Sequence, residues 1–117
     1  MRHSALRSRE NEHGHTRKSI VVVGGILGLE PQYRRILEEN NFFPRIFNHD
    51  SARLVGKIKR TDAIIIFTGT VSHKMAEKIK KMAALRDIPL ITVQPSSISA
   101  LKKSVGGERL FSERTHS

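Results

Sequence analysis

The run Thr68-Gly69-Thr70-Val71-Ser72-His73, with Lys74 behind it, puts three hydroxyls, a glycine, an imidazole and an ammonium into seven residues. If a helix begins at Ser72, its first amides are free of helical partners. Free amides, hydroxyls and a lysine together suit an anion such as phosphate. Lysine in a first helical turn opposes the helix dipole, which makes sense where a ligand brings negative charge. The plainer reading is that Ser72 only caps its helix and the threonines only satisfy a turn.

A second glycine-rich stretch, Gly24-Gly25-Ile26-Leu27-Gly28, has part of a dinucleotide-binding fingerprint. The spacing from Gly25 to Gly28 fits, and Asp50 lies 22 residues beyond Gly28, where a ribose-binding acid belongs. Val23 stands where the first glycine should be. No Lys-Ser or Lys-Thr pair follows, so the stretch is not a P-loop. The plain alternative is a tight strand-to-helix turn.

His49-Asp50 and His73 form the third group. Imidazoles in a cleft can act as acid, base or metal ligand, and Asp50 could orient either ring or be a third ligand. No serine-histidine-acid triad is read, because nothing marks Ser72 as a strained nucleophile. His13 and His15, around Gly14, could chelate a metal weakly or be plain surface histidines. No cofactor, metal or catalytic residue is assigned from the sequence.

The elements that must position these groups follow from apolar spacing. Ser19 to Val23 is a β-branched run closed by two glycines, which predicts a buried strand and a tight turn. Tyr33, Ile36 and Leu37 recur at helical spacing between Pro31 and Asn40. Phe43 to Asn48 predicts a second strand, mixed in polarity. Ser51 can cap a helix to about Lys59, with Ala52, Leu54, Val55 and Ile58 inward. Ala63 to Phe67 is the most apolar strand. A helix from Ser72 to Arg86 would turn Met75, Ile79, Met82 and Ala83 inward. Leu90 to Val93 makes a fourth strand. A last helix carries Ile98, Leu101 and Val105 and ends at Gly106-Gly107.

Four strand–helix alternations predict an α/β fold: a three-layer domain with a four-stranded parallel sheet and helices on both faces. The first and third strands are continuous apolar runs, as strands buried on both faces must be, and the second suits an edge. Strand order 2-1-3-4 satisfies this, with 3-2-1-4 ranked second. Ligands in such sheets bind beyond the strand carboxyl ends, where connections diverge. Order 2-1-3-4 puts that point between the first and third strands. Gly24, Gly25, Gly28, His49, Asp50, Thr68, Gly69, Thr70, Ser72, His73 and Lys74 are therefore the candidate ligand- or anion-binding residues. Gln94 ends the fourth strand on the same rim. His49 and His73 would sit two strands apart, about 10 Å between strand axes.

Composition bounds the rest. The chain has 117 residues, 21 Lys and Arg against 11 Asp and Glu, and no cysteine. Thiol catalysis, disulfide scaffolds and cysteine-based zinc sites are excluded. The longest apolar run is Ala63 to Phe67, far short of the about 20 residues that span a bilayer. No apolar stretch of signal-peptide length follows the basic start. The expectation is a cytoplasmic protein without membrane contact. Residues 1–17 read as a disordered basic tail, 18–105 as the folded domain and 106–117 as a flexible tail.

Val21-Val22-Val23-Gly24-Gly25, then His49-Asp50, then Val71-Ser72-His73-Lys74, is a pattern that resembles a bacterial family of small uncharacterised proteins, a domain of unknown function. The resemblance covers about residues 19–104. It implies a Rossmann-like α/β domain and no established activity. Many members of that family carry a cysteine in the helix after the Ser-His pair, and this chain has none.

Three functional readings follow. The first is a regulatory or sensing module that binds a small anionic ligand at the strand-end rim. The second is a nucleic-acid-associated accessory protein that uses its basic tails and the stripe Lys74, Lys78 and Lys81. The third is an enzyme with His49, Asp50 or His73 in acid-base or metal chemistry. Oligomeric state is not legible.

Overall fold

β-Branched residues run unbroken from Ile20 to Val23 and become the inner strand β1 (Lys18–Val23), whose last four residues are buried. A computed structural model describes residues 17–49 and 52–106. After β1 come a 3-10 turn (Leu27–Leu29), α1 (Glu30–Glu39), β2 (Phe42–Phe47), α2 (Ala52–Ile58), β3 (Ala63–Phe67), α3 (His73–Arg86), β4 (Leu90–Val93) and α4 (Ile98–Gly106). The four strands form one sheet in the order β2-β1-β3-β4. Every neighbouring pair is parallel.

The two faces of β1 explain the layers. Ile20 and Val22 point one way, into a core with Ala63, Ile65 and Phe67 of β3, closed by Tyr33 and Leu37 of α1 and Leu101 of α4. Val21 and Val23 point the other way, with Ile64 and Ile66, and are closed by Leu54 and Ile58 of α2 and Ile79 and Ala83 of α3. Period-two alternation makes each residue of β1 and β3 part of one layer or the other. All five residues of β3 are fully buried, as its all-apolar sequence requires.

Three local details differ from the sequence reading. The turn between β1 and α1 includes a 3-10 segment at Leu27–Leu29, which the sequence reading gave only as a tight strand-to-helix turn because its apolar residues do not repeat at any regular period. Ala52 is exposed and Val55 half-buried, so Leu54 and Ile58 alone form the buried face of α2. In α3, Ala76 takes a fully inward position and Met75 and Met82 lie at the margin. A small residue fits where helix and sheet approach closely. The caps assigned to Ser51 and Gly107 lie outside the described residues, as does Asp50.

The edges are unlike. β2 carries Pro44, which has no N–H to offer, and the Arg34 guanidinium donates to the Pro44 carbonyl at 3.5 Å. At the amino end of β1, the Ser19 amide and hydroxyl both donate to the Asp62 carboxylate, at 2.7 and 3.0 Å. That bond pair pins β1 to β3 at one end, so their carboxyl ends emerge side by side.

Candidate functional site

Beyond the carboxyl end of β1 the chain runs through two consecutive residues with positive φ, Gly24 at 91° and Gly25 at 98°. Both conformations are ones that side-chain-bearing residues avoid. Space is short as well. A Cβ on Gly24 would lie 2.7 Å from the Thr70 hydroxyl oxygen and 2.8 Å from a Val71 methyl. A Cβ on Gly25 would lie 2.7 Å from the Tyr33 ring. The loops after β1 and β3 are in van der Waals contact here.

Thr70 holds them together. Its hydroxyl accepts the Gly25 amide at 2.6 Å and donates to the Phe67 carbonyl at 3.1 Å. A hydroxyl has one proton to give, so the Thr70 donor is committed inside the protein. Gly24 donates its amide to the Phe47 carbonyl at 2.8 Å, and Asn48 reaches the Gly24 carbonyl at 3.4 Å. The β2, β1 and β3 loops thus meet at Gly24. Thr68 donates its amide to the Val93 carbonyl at 3.0 Å, which brings in the loop after β4. Gly69 faces the Gln94 carbonyl there, 3.0 Å from where a Cβ would stand. Gly28, in the 3-10 turn, has nothing near the position of a Cβ.

Tyr33 is the organising residue that the sequence reading missed as such. It sits on α1 with no solvent exposure and stacks on Phe67, ring centroids 4.9 Å apart. Its hydroxyl accepts the Ile26 amide at 3.0 Å and donates to the Ser96 carbonyl at 2.6 Å. One phenol therefore ties the loop after β1 to the loop after β4. Helical spacing marked Tyr33 as core. The signal for more was its type: it is the only tyrosine in the chain, and a buried phenol needs partners for its oxygen.

Ser72 caps α3. Its backbone is extended, and its hydroxyl oxygen accepts the Met75 amide at 3.1 Å. His73 and Lys74 follow in the first turn, both exposed. Ser72→Ala should lower stability by about 1 kcal/mol as a lost cap, read as a fall in the chemical-denaturation midpoint at unchanged m-value.

The two histidines line different depressions among the described residues. His49 lines one of about 470 Å³ with Arg34, Phe43, Arg45 and Arg53, at the β2 edge. His73 lines another of about 780 Å³ with Lys74, Glu77, Lys78, Lys81 and Met82, along α3. Asp50, the acid paired with them in the sequence reading, lies outside the described residues. Among the described residues no group of three or more His, Asp or Glu side chains gathers in a way that could hold a metal ion. No helix among them is long and apolar enough to cross a membrane.

Around the rim, the described residues 24–26, 48–49, 68–74 and 94–97 include two histidines and one lysine and no carboxylate. The rim can donate hydrogen bonds and attract negative charge.

No curated protein and no solved structure gives a significant match to this sequence. The family described as "Uncharacterized protein conserved in bacteria (DUF2325)" matches residues 19–107, which span every element of the sheet and its helices. The chain belongs to that family, whose matched region coincides with the four-stranded α/β domain described above.

Proposed function

We propose that the protein is a ligand-binding module that holds a small anion at the carboxyl rim of its sheet, over Gly24 and Gly25 at the start of α3. The observation that carries this reading is the make-up of the rim. Loops from β1, β2 and β3 converge on two glycines that leave room for Thr70, Val71 and Tyr33 to pack against them, and the adjoining helix start offers His73, Lys74 and first-turn amides, with Glu77 one turn further along α3. Thr70 and Ser72 serve it indirectly. Their hydroxyls hold the loop and the helix start in place, while His73 and Lys74 meet the ligand.

A thermal-shift series with inorganic phosphate and nucleoside phosphates tests this. At ten times Kd, binding raises stability by about 1.4 kcal/mol, or several degrees for a domain of this size. His73→Ala and Lys74→Ala should abolish most of that shift and leave the ligand-free melting temperature in place, because both side chains are exposed. An equal shift in both variants, or none in the wild type with any anion, would refute the rim site.

A further inference from the structure

α2 presents Arg53 and Lys57 at i and i+4 on one side of the helix, and Arg60 lies in the turn just beyond its end. Arg45, on the edge strand β2, lies against the same region, and Arg45, Arg53 and His49 line one depression together. The Arg45 guanidinium sits over the Phe43 ring, 5.3 Å from its centroid, which fixes the direction of its charge. Glu38 is the only carboxylate among the described residues that line this depression. Arg34, which also lines it, is paired with Glu30 at 3.2 Å, so Arg45 and Arg53 carry its uncompensated charge. The crowding of like charge is visible at Lys57. Arg45 first, then burial, then Arg60 and Arg53, hold its ammonium below the ordinary lysine value. Lys57 therefore stands in the field of Arg45, Arg53 and Arg60, and Arg45 and Arg53 line the concave surface itself, which neither Thr70 nor Lys74 lines.

We propose that this β2–α2 surface, built by Arg45, Arg53, Lys57 and Arg60, is a docking site for the phosphodiester backbone of double-stranded nucleic acid. Charge complementarity names the partner class: concentrated positive charge gains most from a polyanion, through release of its condensed counterions. The aromatic content favours a duplex over a single strand. Single-strand binding uses open rings as stacking platforms, and neither phenylalanine lining this depression is open: Phe43 is half-buried with Arg45 over it, and Phe47 is half-buried and packed against the core. The contact is to phosphates and is indifferent to base sequence.

The test measures anisotropy of a fluorescent duplex DNA of arbitrary sequence with the full chain across a salt series. Two charge-matched double variants are compared: Arg53→Gln with Lys57→Gln, and Lys78→Gln with Lys81→Gln on α3. Each removes two positive charges, so a general change in net charge affects both alike. The α2 pair should lower the slope of log affinity against log salt by about 1.8, at 0.9 per lost phosphate contact, and the α3 pair should leave it near wild type. Melting temperatures should match the wild type, since Arg53 is exposed and Lys57 half-buried on the surface of α2. An equal fall for both pairs, a fall for the α3 pair only, or no duplex binding at low salt overturns the proposal. Tighter binding to poly-glutamate than to the duplex also overturns it, in favour of an acidic protein partner.

Discussion

Gly24→Ala should lower stability by about 3 kcal/mol and the melting temperature by about 15 °C, measured by calorimetry or circular dichroism. Two costs add. A left-handed backbone costs a side-chain-bearing residue about 1–2 kcal/mol. Forcing a methyl into a filled space costs about 1–3 kcal/mol more. Here φ is 91°, and the methyl would stand 2.7 Å from the Thr70 hydroxyl and 2.8 Å from Val71. The position is buried and its neighbour Phe67 is in the centre of the sheet, so relief by loop movement is restricted. The same substitution at Gly28, whose φ is not positive and where a Cβ meets nothing, should change stability by less than about 0.5 kcal/mol. Equal losses at the two positions would show that the close approach of the β1 and β3 loops does not govern stability.

Tyr33→Phe should cost about 2 kcal/mol, or about 10 °C in melting temperature. The ring stays, so its stacking on Phe67 stays. The oxygen goes, and the Ile26 amide and the Ser96 carbonyl lose their shared partner. Orphaning a shielded polar group costs about 1–3 kcal/mol, less where water can reach it. Ile26 is exposed, so its amide regains water easily, while Ser96 is half-buried. The expected pattern in hydrogen exchange is faster exchange at Ile26 and in the loop after β4, with β1 and β3 protected as before. Uniformly faster exchange across the sheet would mean that Tyr33 acts through core packing alone.

These two residues also show how the rim is built. Its hydroxyls are used mainly on the protein itself. Thr70 joins β1 to β3, Tyr33 joins β1 to β4, and Ser72 starts α3. Loops secured in this way hold the exposed His73 and Lys74 in a defined place. A ligand-binding rim needs such rigidity, since every side chain it must order on binding weakens the affinity.

The alternation of apolar runs and helical spacings was enough, by itself, to indicate the four-stranded parallel sheet and its two helical layers and to rank its order 2-1-3-4 first, which the structure bears out over 3-2-1-4. The physical reason is burial. A strand as apolar as Ala63–Phe67 has to be covered on both faces, and a strand carrying Pro44 and Arg45 does not. Sequence order and handedness then leave few arrangements. The glycines after β1 and the Ser72 cap were legible for the same kind of reason, because backbone conformation and helix ends depend on neighbours in the chain. Only the tertiary structure decided what the hydroxyls do. Thr70 and Gly25 are 45 residues apart, and Tyr33 and Ser96 are 63 apart. No local pattern marks bonds over such separations. The tertiary structure also gave His49 and His73 different depressions and brought Arg45 of β2 beside Arg53 and Lys57 of α2. Side-chain direction on the rim and charge density on a surface arise from how elements pack, and packing is a property of the whole sheet.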